Sequence, residues 1–211
     1  VLSGIQFIGS TKIGSGHISQ VGQDHLSCGA FDPQDAAAIQ AANDFVRMYS
    51  NEGQNFVEFD PRVRYSRWKK LLYNAAINTS TALVGLDVPR CLEFGVNKKS
   101  TEIEVFHPAM REIIAIAASE GIIIEEEFIT MFTEITRKKV FKPSMCVDCE
   151  KGQLMELEVI LGNPIRIAKR NGVATPTLSI LYNLLVLVQA KLKERKGLLK
   201  FDEKTATLVD E

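Results

Sequence analysis

The chain has 211 residues, with 25 Lys and Arg against 26 Asp and Glu, for a formal net charge of −1 at pH 7. That length suits one large domain or two small ones with a sizeable core, and 45% hydrophobic with 24% charged residues is ordinary globular composition. The balanced charge gives no electrostatic reason to expect nucleic acid or an anionic membrane as partner.

The four cysteines, Cys28, Cys91, Cys146 and Cys149, are sparse and scattered. They predict no disulfide framework and a reducing compartment, read as the cytoplasm. No positively charged leader precedes an apolar run, so no signal peptide is expected. The most apolar helical stretch, "LSILYNLLVLVQA", is interrupted by Tyr182, Asn183 and Gln189 and is too short to span a bilayer.

In chain order, "IQFIGSTKIG", "GHISQVG" and "HLSCGAF" read as short strands split by glycine. "DPQDAAAIQAANDFVRMYS" reads as a helix with Asp32 or Asp35 near its start, and "NFVEFD" as a following strand, as in an α/β unit. Beyond Pro61 the pattern is almost wholly helical. One helix is expected from near Val63 to about Leu83. A second is opened by Pro108 and closed by Gly121. A third starts at Glu125, Glu126 and Glu127 and ends at Arg137, Lys138 and Lys139, acid first and base last as a helix dipole favours. A long helix from about Ser144 to Arg170, bent at Pro164, and a last one from Thr177 to Arg195 complete the pattern. The endings "ASEGI" and "AKRNGV" are alike, and the tail after Gly197 reads as polar and loose. The expected organisation is a partial dinucleotide-binding domain over 1–62, a helical domain over 63–198 and a tail over 199–211.

Several motifs carry less than they suggest. "GSTKIGSG" has no Lys-Ser or Lys-Thr after its second glycine, so it is no P-loop. "GSGHIS" lacks a third glycine and sits between two strands, which predicts a hairpin turn. "CVDC" is a lone pair with His17, His25 and His107 far off, so Cys146 and Cys149 are expected to bind no metal. Glu156 and Glu158, read on one helix, would stand about 200° apart and form no catalytic dyad. An inward Glu156 could accept a hydrogen bond from a ligand hydroxyl or pair with a Lys.

The stretch "SRWKKLLYNAAINTS" stands out. Trp68, Leu71, Leu72, Ala75 and Ala76 form an apolar face, while Lys70, Asn74 and Asn78 recur every four residues and project from one side. Asn is a mediocre helix former. A solvated face is the plain explanation; the sharper one is a site where a Lys supplies charge and a proton and two amides fix a polar ligand.

The segments "RWKKLLYNAAINTSTAL", "PSMCVDCEKGQLMELEVILG" and "AKRNGVATPTLSILYNLL" together resemble the ketopantoate reductases (2-dehydropantoate 2-reductases), and "GIQFIGSTKIGSGHISQVGQ" is similar to strands in the back half of that family's nucleotide domain. The resemblance implies an α+β, mostly α chain: the back half of a Rossmann-type domain, then an all-α domain like that of 6-phosphogluconate dehydrogenase. It implies Lys70 as the catalytic Lys, Asn74 and Asn78 as substrate-site amides, Ser144 as a substrate contact and Glu156 as the carboxylate on the substrate hydroxyl. It implies NADPH as cofactor and a small 2-oxo acid as substrate, and it leaves room for a homodimer through the helical domain. Thr79, Met155 and Leu161 stand where the family often has Pro, Thr and Asn, which bears on the substrate more than on the chemistry. The family's Gly-rich cofactor loop has no counterpart in residues 1–211 and is expected upstream of Val1, so no cofactor-binding residue is assigned and the isolated chain is expected to be inactive. The rival expectations are a reductase of another 2-oxo acid and a non-catalytic helical dimerisation module.

Overall fold

The structure, a computed structural model, describes residues 1–209. It divides into two compact units, Val1–Lys70 and Leu71 onward.

In the first unit, β1 (Leu2–Gly14) and β2 (His17–Ala30) pair antiparallel, from Leu2 opposite Ala30 to Gly14 opposite His17. Gly16, at φ +72°, makes the turn, so the glycine-rich opening is the hairpin its spacing predicts. The two runs expected after it are one strand, jointed at Gly22 (φ +77°), near where the register against β1 slips. β2 is exposed at its outer end and buried at its inner one, where Leu26, Cys28 and Ala30 face the core. Asp35 caps α1 (Ala36–Tyr49) by accepting from the Ala38 N–H at 3.0 Å. β3 (Asn55–Phe59) then returns parallel to β2, completing the expected α/β unit. The chain passes so close to β2 there that a side chain at Gly29 would strike the Asp60 carbonyl.

Helical backbone runs through 63–84, as the periodicity predicts, in α2 (Val63–Tyr73), a wide π turn (Asn74–Asn78) and α3 (Thr79–Val84). Gly85, at φ +70°, ends it. α4 (Val88–Glu93) has no counterpart among the expected helices, although Asp87, which accepts from the Arg90 N–H at 2.9 Å, and Pro89 in the first turn are start signals. α6 (Glu127–Arg137) and α9 (Pro176–Arg195) lie close to their expected bounds. Among the described residues no helix is long and apolar enough to cross a membrane.

Three expectations need correction. Pro108 does not open its helix: a second π turn (Thr101–Phe106) leads directly into α5 (His107–Ser119). The helix expected over 144–170 is two. α7 (Ser144–Glu150) stops before Gly152 (φ +70°), whose successor Gln153 donates from its N–H to the Asp148 carbonyl at 2.8 Å, and helix resumes only at Leu157. That six-to-one bond around a left-handed glycine is a helix stop, and it outweighs the apolar periodicity on either side. The tail is not loose throughout, since β4 (Phe201–Asp202) and β5 (Thr207–Leu208) pair as a small hairpin; positions 210 and 211 lie outside the described residues.

A third π turn (Glu158–Gly162) precedes α8 (Asn163–Asn171). Pro108 and Pro164 thus both come two residues after a π turn. A proline inside a helix has no N–H to donate and its ring crowds the carbonyl four back. The wider turn supplies the relief at both places.

The likeness between "ASEGI" and "AKRNGV" is physical. Gly121 and Gly172 take the same left-handed conformation, and Ile122 and Val173 donate to the Ala117 and Ala168 carbonyls, each at 2.9 Å. Asn171 Nδ2 then ties the two ends together through Ser119 Oγ (2.9 Å) and Glu120 Oε1 (2.7 Å). From α5, Glu112 accepts the Thr177 and Leu178 N–H groups, both at 2.8 Å, and so caps the start of α9. Phe106, Met110, Ile113, Leu161, Leu178 and Leu185 are buried in the core these elements enclose.

Candidate functional site

Three hydroxyls at the start of α3 donate to carbonyls inside the π turn Asn74–Asn78. In a π turn the N–H of each residue reaches five back instead of four, which displaces the usual donors from the carbonyls inside. The hydroxyls supply donors there: Thr79 Oγ1 to the Ala75 carbonyl (2.6 Å), Ser80 Oγ to Ala76 (2.7 Å) and Thr81 Oγ1 to Ile77 (2.8 Å). They are buried with the turn.

The opened turn sets Asn74 and Asn78 side by side, Asn78 Nδ2 donating to Asn74 Oδ1 at 3.1 Å. Asn78 is only 5% exposed, yet its Oδ1 has no hydrogen-bond partner among the described residues. A buried acceptor without a donor is unfavourable unless something else fills it. A ligand hydroxyl or amine would.

Ser144 begins α7 and is exposed. Glu156 is exposed too and lies outside helix. Its carbonyl accepts the Ile160 N–H at 3.0 Å and so starts the next helical stretch, while its carboxylate has no hydrogen bond or ion pair among the described residues. This corrects the picture of two carboxylates on opposite faces of one helix. What separates them is engagement: Glu158 accepts from the Tyr182 hydroxyl and pairs with Arg166 at 2.8 Å, and these two partners hold its carboxyl below the usual carboxylate range. α7 and the third π turn both pack against the first π turn. Within the second unit, then, Asn74 and Asn78 are bonded, and Ser144 and Glu156 stand at the heads of segments packed on them.

Lys70 belongs to the first unit. Its ammonium donates to the Gln6 carbonyl at 2.5 Å and lies 4.8 Å from the centroid of the Phe7 ring.

Cys146 is buried, 3.8 Å from the Leu86 carbonyl, and burial pushes its thiol up, away from the reactive thiolate. Among the described residues no cluster of three or more His, Cys, Asp or Glu could hold a metal ion. One charged group has no signal in the sequence pattern. Glu102, buried in the second π turn, pairs with Arg137 (2.9 Å) and lies 3.7 Å from His107. Arg137 thus does more than complement a helix end. A cavity of about 540 Å³ between α3, α4 and α9 is lined mostly by apolar groups, among them Leu83, Val84, Phe94, Ile180 and Leu184. None of the five predicted residues lines it, and its apolar wall offers an anionic acid little.

The family described as "Ketopantoate reductase PanE/ApbA C terminal" matches residues 62–189. A 2-dehydropantoate 2-reductase of Nostoc sp. is 25% identical over 206 residues, which is 96% of this chain and 62% of that relative. The crystal structure of 2-dehydropantoate 2-reductase from Methylococcus capsulatus is 31% identical with a TM-score of 0.71, covering 90% of this chain and 59% of that one. D-mandelate dehydrogenase, in a ternary structure with NADH and anilino(oxo)acetate, shares the fold at 21% identity and a TM-score of 0.78, covering 91% of this chain and 61% of that one. The chain therefore spans about three fifths of the length of these proteins.

Proposed function

Because this chain belongs to the ketopantoate reductase C-terminal family, we propose that it supplies the substrate site of an NADPH-dependent 2-oxo acid reductase converting 2-dehydropantoate to pantoate. The single observation that carries the reading is the opened turn at Asn74–Asn78, with its buried, unfilled Asn78 acceptor. The resemblance to the named relatives supports the reaction class.

When bound, the nicotinamide cofactor would supply the hydride. No residue of this chain is assigned to holding its pyrophosphate. When the substrate carbonyl becomes an alkoxide, its oxygen gains negative charge. Lys70, one turn before Asn74, stabilises that charge and delivers the proton. Asn74 and Asn78 orient the acid so that the carbonyl meets the Lys, Ser144 contacts the substrate, and the Glu156 carboxylate accepts from the substrate hydroxyl.

A second reading concerns assembly. The first four turns of α9 are mostly apolar, and Ile180, Leu184 and Leu187 are exposed on it, as are Phe94 and Val96 close in sequence to α4. Exposed apolar side chains grouped in this way are ordinarily covered. A homodimer through the helical domain would cover them, alongside catalysis or in place of it.

NADPH oxidation by the whole protein, followed against a panel of 2-oxo acids, tests the reaction. The reading expects turnover with 2-dehydropantoate well above that with aromatic or unbranched 2-oxo acids. Turnover confined to another 2-oxo acid would transfer the reading to that substrate, and no turnover with any, in a protein that sediments as a dimer, would favour the assembly role.

A further inference from the structure

Glu156 sits in a stretch, residues 153–156, that is neither helix nor strand. Irregular backbone inside a folded chain still needs partners for its N–H and C=O groups. Here one side chain provides both. Gln189, on α9, accepts the Met155 N–H at Oε1 (2.6 Å) and donates from Nε2 to the Met155 carbonyl (3.2 Å). Met155 itself is buried. Immediately downstream, the Glu156 carbonyl is taken by the Ile160 N–H at 3.0 Å. The peptides on both sides of Glu156 are therefore fastened, while its carboxylate is exposed and unengaged among the described residues.

We infer that Gln189 is a positioning residue for Glu156, acting through the Met155 backbone. The chemistry singles out a primary amide. Met155 presents one donor and one acceptor, and an amide matches both, whereas a carboxylate could accept but not donate and an aliphatic chain could do neither. Gln189, which in sequence only interrupts an apolar helix, thus presents the carboxylate to the substrate from a stretch with no secondary structure of its own to hold it. This rests on the proposed role of Glu156, and the test separates the two.

In the whole protein, Gln189→Leu removes both bonds and Gln189→Glu removes one. Hydrogen exchange at the Met155 amide reads the clamp directly. The inference expects faster exchange in Gln189→Leu, with the α5 and α8 amides unchanged. Kinetics read its consequence: kcat/KM for the 2-oxo acid falls by about 10-fold in Gln189→Leu, the scale of losing a positioned hydrogen bond, with Gln189→Glu between it and the parent and KM for the cofactor unchanged. Placed in a Glu156→Ala background, Gln189→Leu should add nothing further, because it acts through Glu156. Unchanged Met155 exchange, or a kinetic loss of equal size with and without Glu156, overturns the inference while leaving the role of Glu156 intact. Parent-like kinetics in Glu156→Ala itself overturns that role and this inference with it, even where the exchange result shows the clamp.

Discussion

The stretch 63–84 and the stretch 144–171 both carry predicted site residues, and both contain a π turn, but they hold their polar groups in opposite ways. The first stays helical throughout. It opens one turn, answers the displaced carbonyls with its own hydroxyls, and buries Asn78 against Asn74. The second abandons helix between Glu150 and Leu157 and presents Glu156 from irregular backbone that a distant helix fastens. Local chemistry suffices for the first arrangement, whereas the second needs a tertiary partner. The difference predicts how each responds to mutation.

The largest effect is expected in the first stretch. In the whole protein, Lys70→Ala should lower kcat on the order of 10²–10⁴-fold, the range for losing a positioned acid, with cofactor affinity kept. Lys69→Ala, about 100° round the helix, should be mild. Steady-state kinetics on the two variants gives the contrast, and similar losses from both would remove it. In the second stretch, Glu156→Ala should lose about 2–4 kcal/mol of kcat/KM. Glu158→Ala should lose far less, because Arg166 and Tyr182 already occupy that carboxylate. Equal losses would mean that engagement does not distinguish the two.

Smaller effects fall on stability. Gly152→Ala places a side chain at φ +70°, where the left-handed conformation costs an L-residue about 1–2 kcal/mol, so thermal unfolding should shift down by a few degrees. The substitution should also bring the second stretch closer to the single helix its periodicity suggests. The smallest is a pH effect. Burial holds His107 below the usual imidazole range, against the opposing pull of Glu102 and with Arg111, Arg137 and Lys99 adding to the depression. A depressed folded pKa means the unfolded chain takes up the proton first. This contribution is therefore present above the unfolded His value, about 6.5, and is lost as pH falls through the lower folded value. Melting temperature measured from pH 7 down to 5 should fall less in His107→Gln than in the parent.

The same contrast explains what can be read from sequence. The helix over 63–84, the Asp35 cap, the parallel return to β3 and the matched ends at Gly121 and Gly172 are encoded within a few residues of where they act. That Asn74 and Asn78 share one side follows from their four-residue spacing, but the opened turn that brings their amides together does not. The π turns do not announce themselves, since their signals, buried hydroxyls and a proline two residues on, also fit ordinary helix. The break at Gly152 is legible in the glycine alone, but the apolar pattern on both sides argues the other way. The Gln189 clamp on Met155 and the Glu112 cap on α9 join residues 34 and 65 positions apart, and one sequence carries no local mark of such pairs.

The central claim is that Lys70, the Asn pair, Ser144 and Glu156 serve one 2-oxo acid. The most direct test is a crystal structure of the whole protein with oxidised cofactor and 2-dehydropantoate, a combination that cannot turn over. The account predicts the keto oxygen about 3 Å from Lys70 Nζ, the Glu156 carboxylate accepting from the substrate hydroxyl, and the Asn78 acceptor filled by an intervening water. An acid seated instead in the apolar cavity between α3, α4 and α9, or one whose keto oxygen lies out of reach of Lys70, would contradict it.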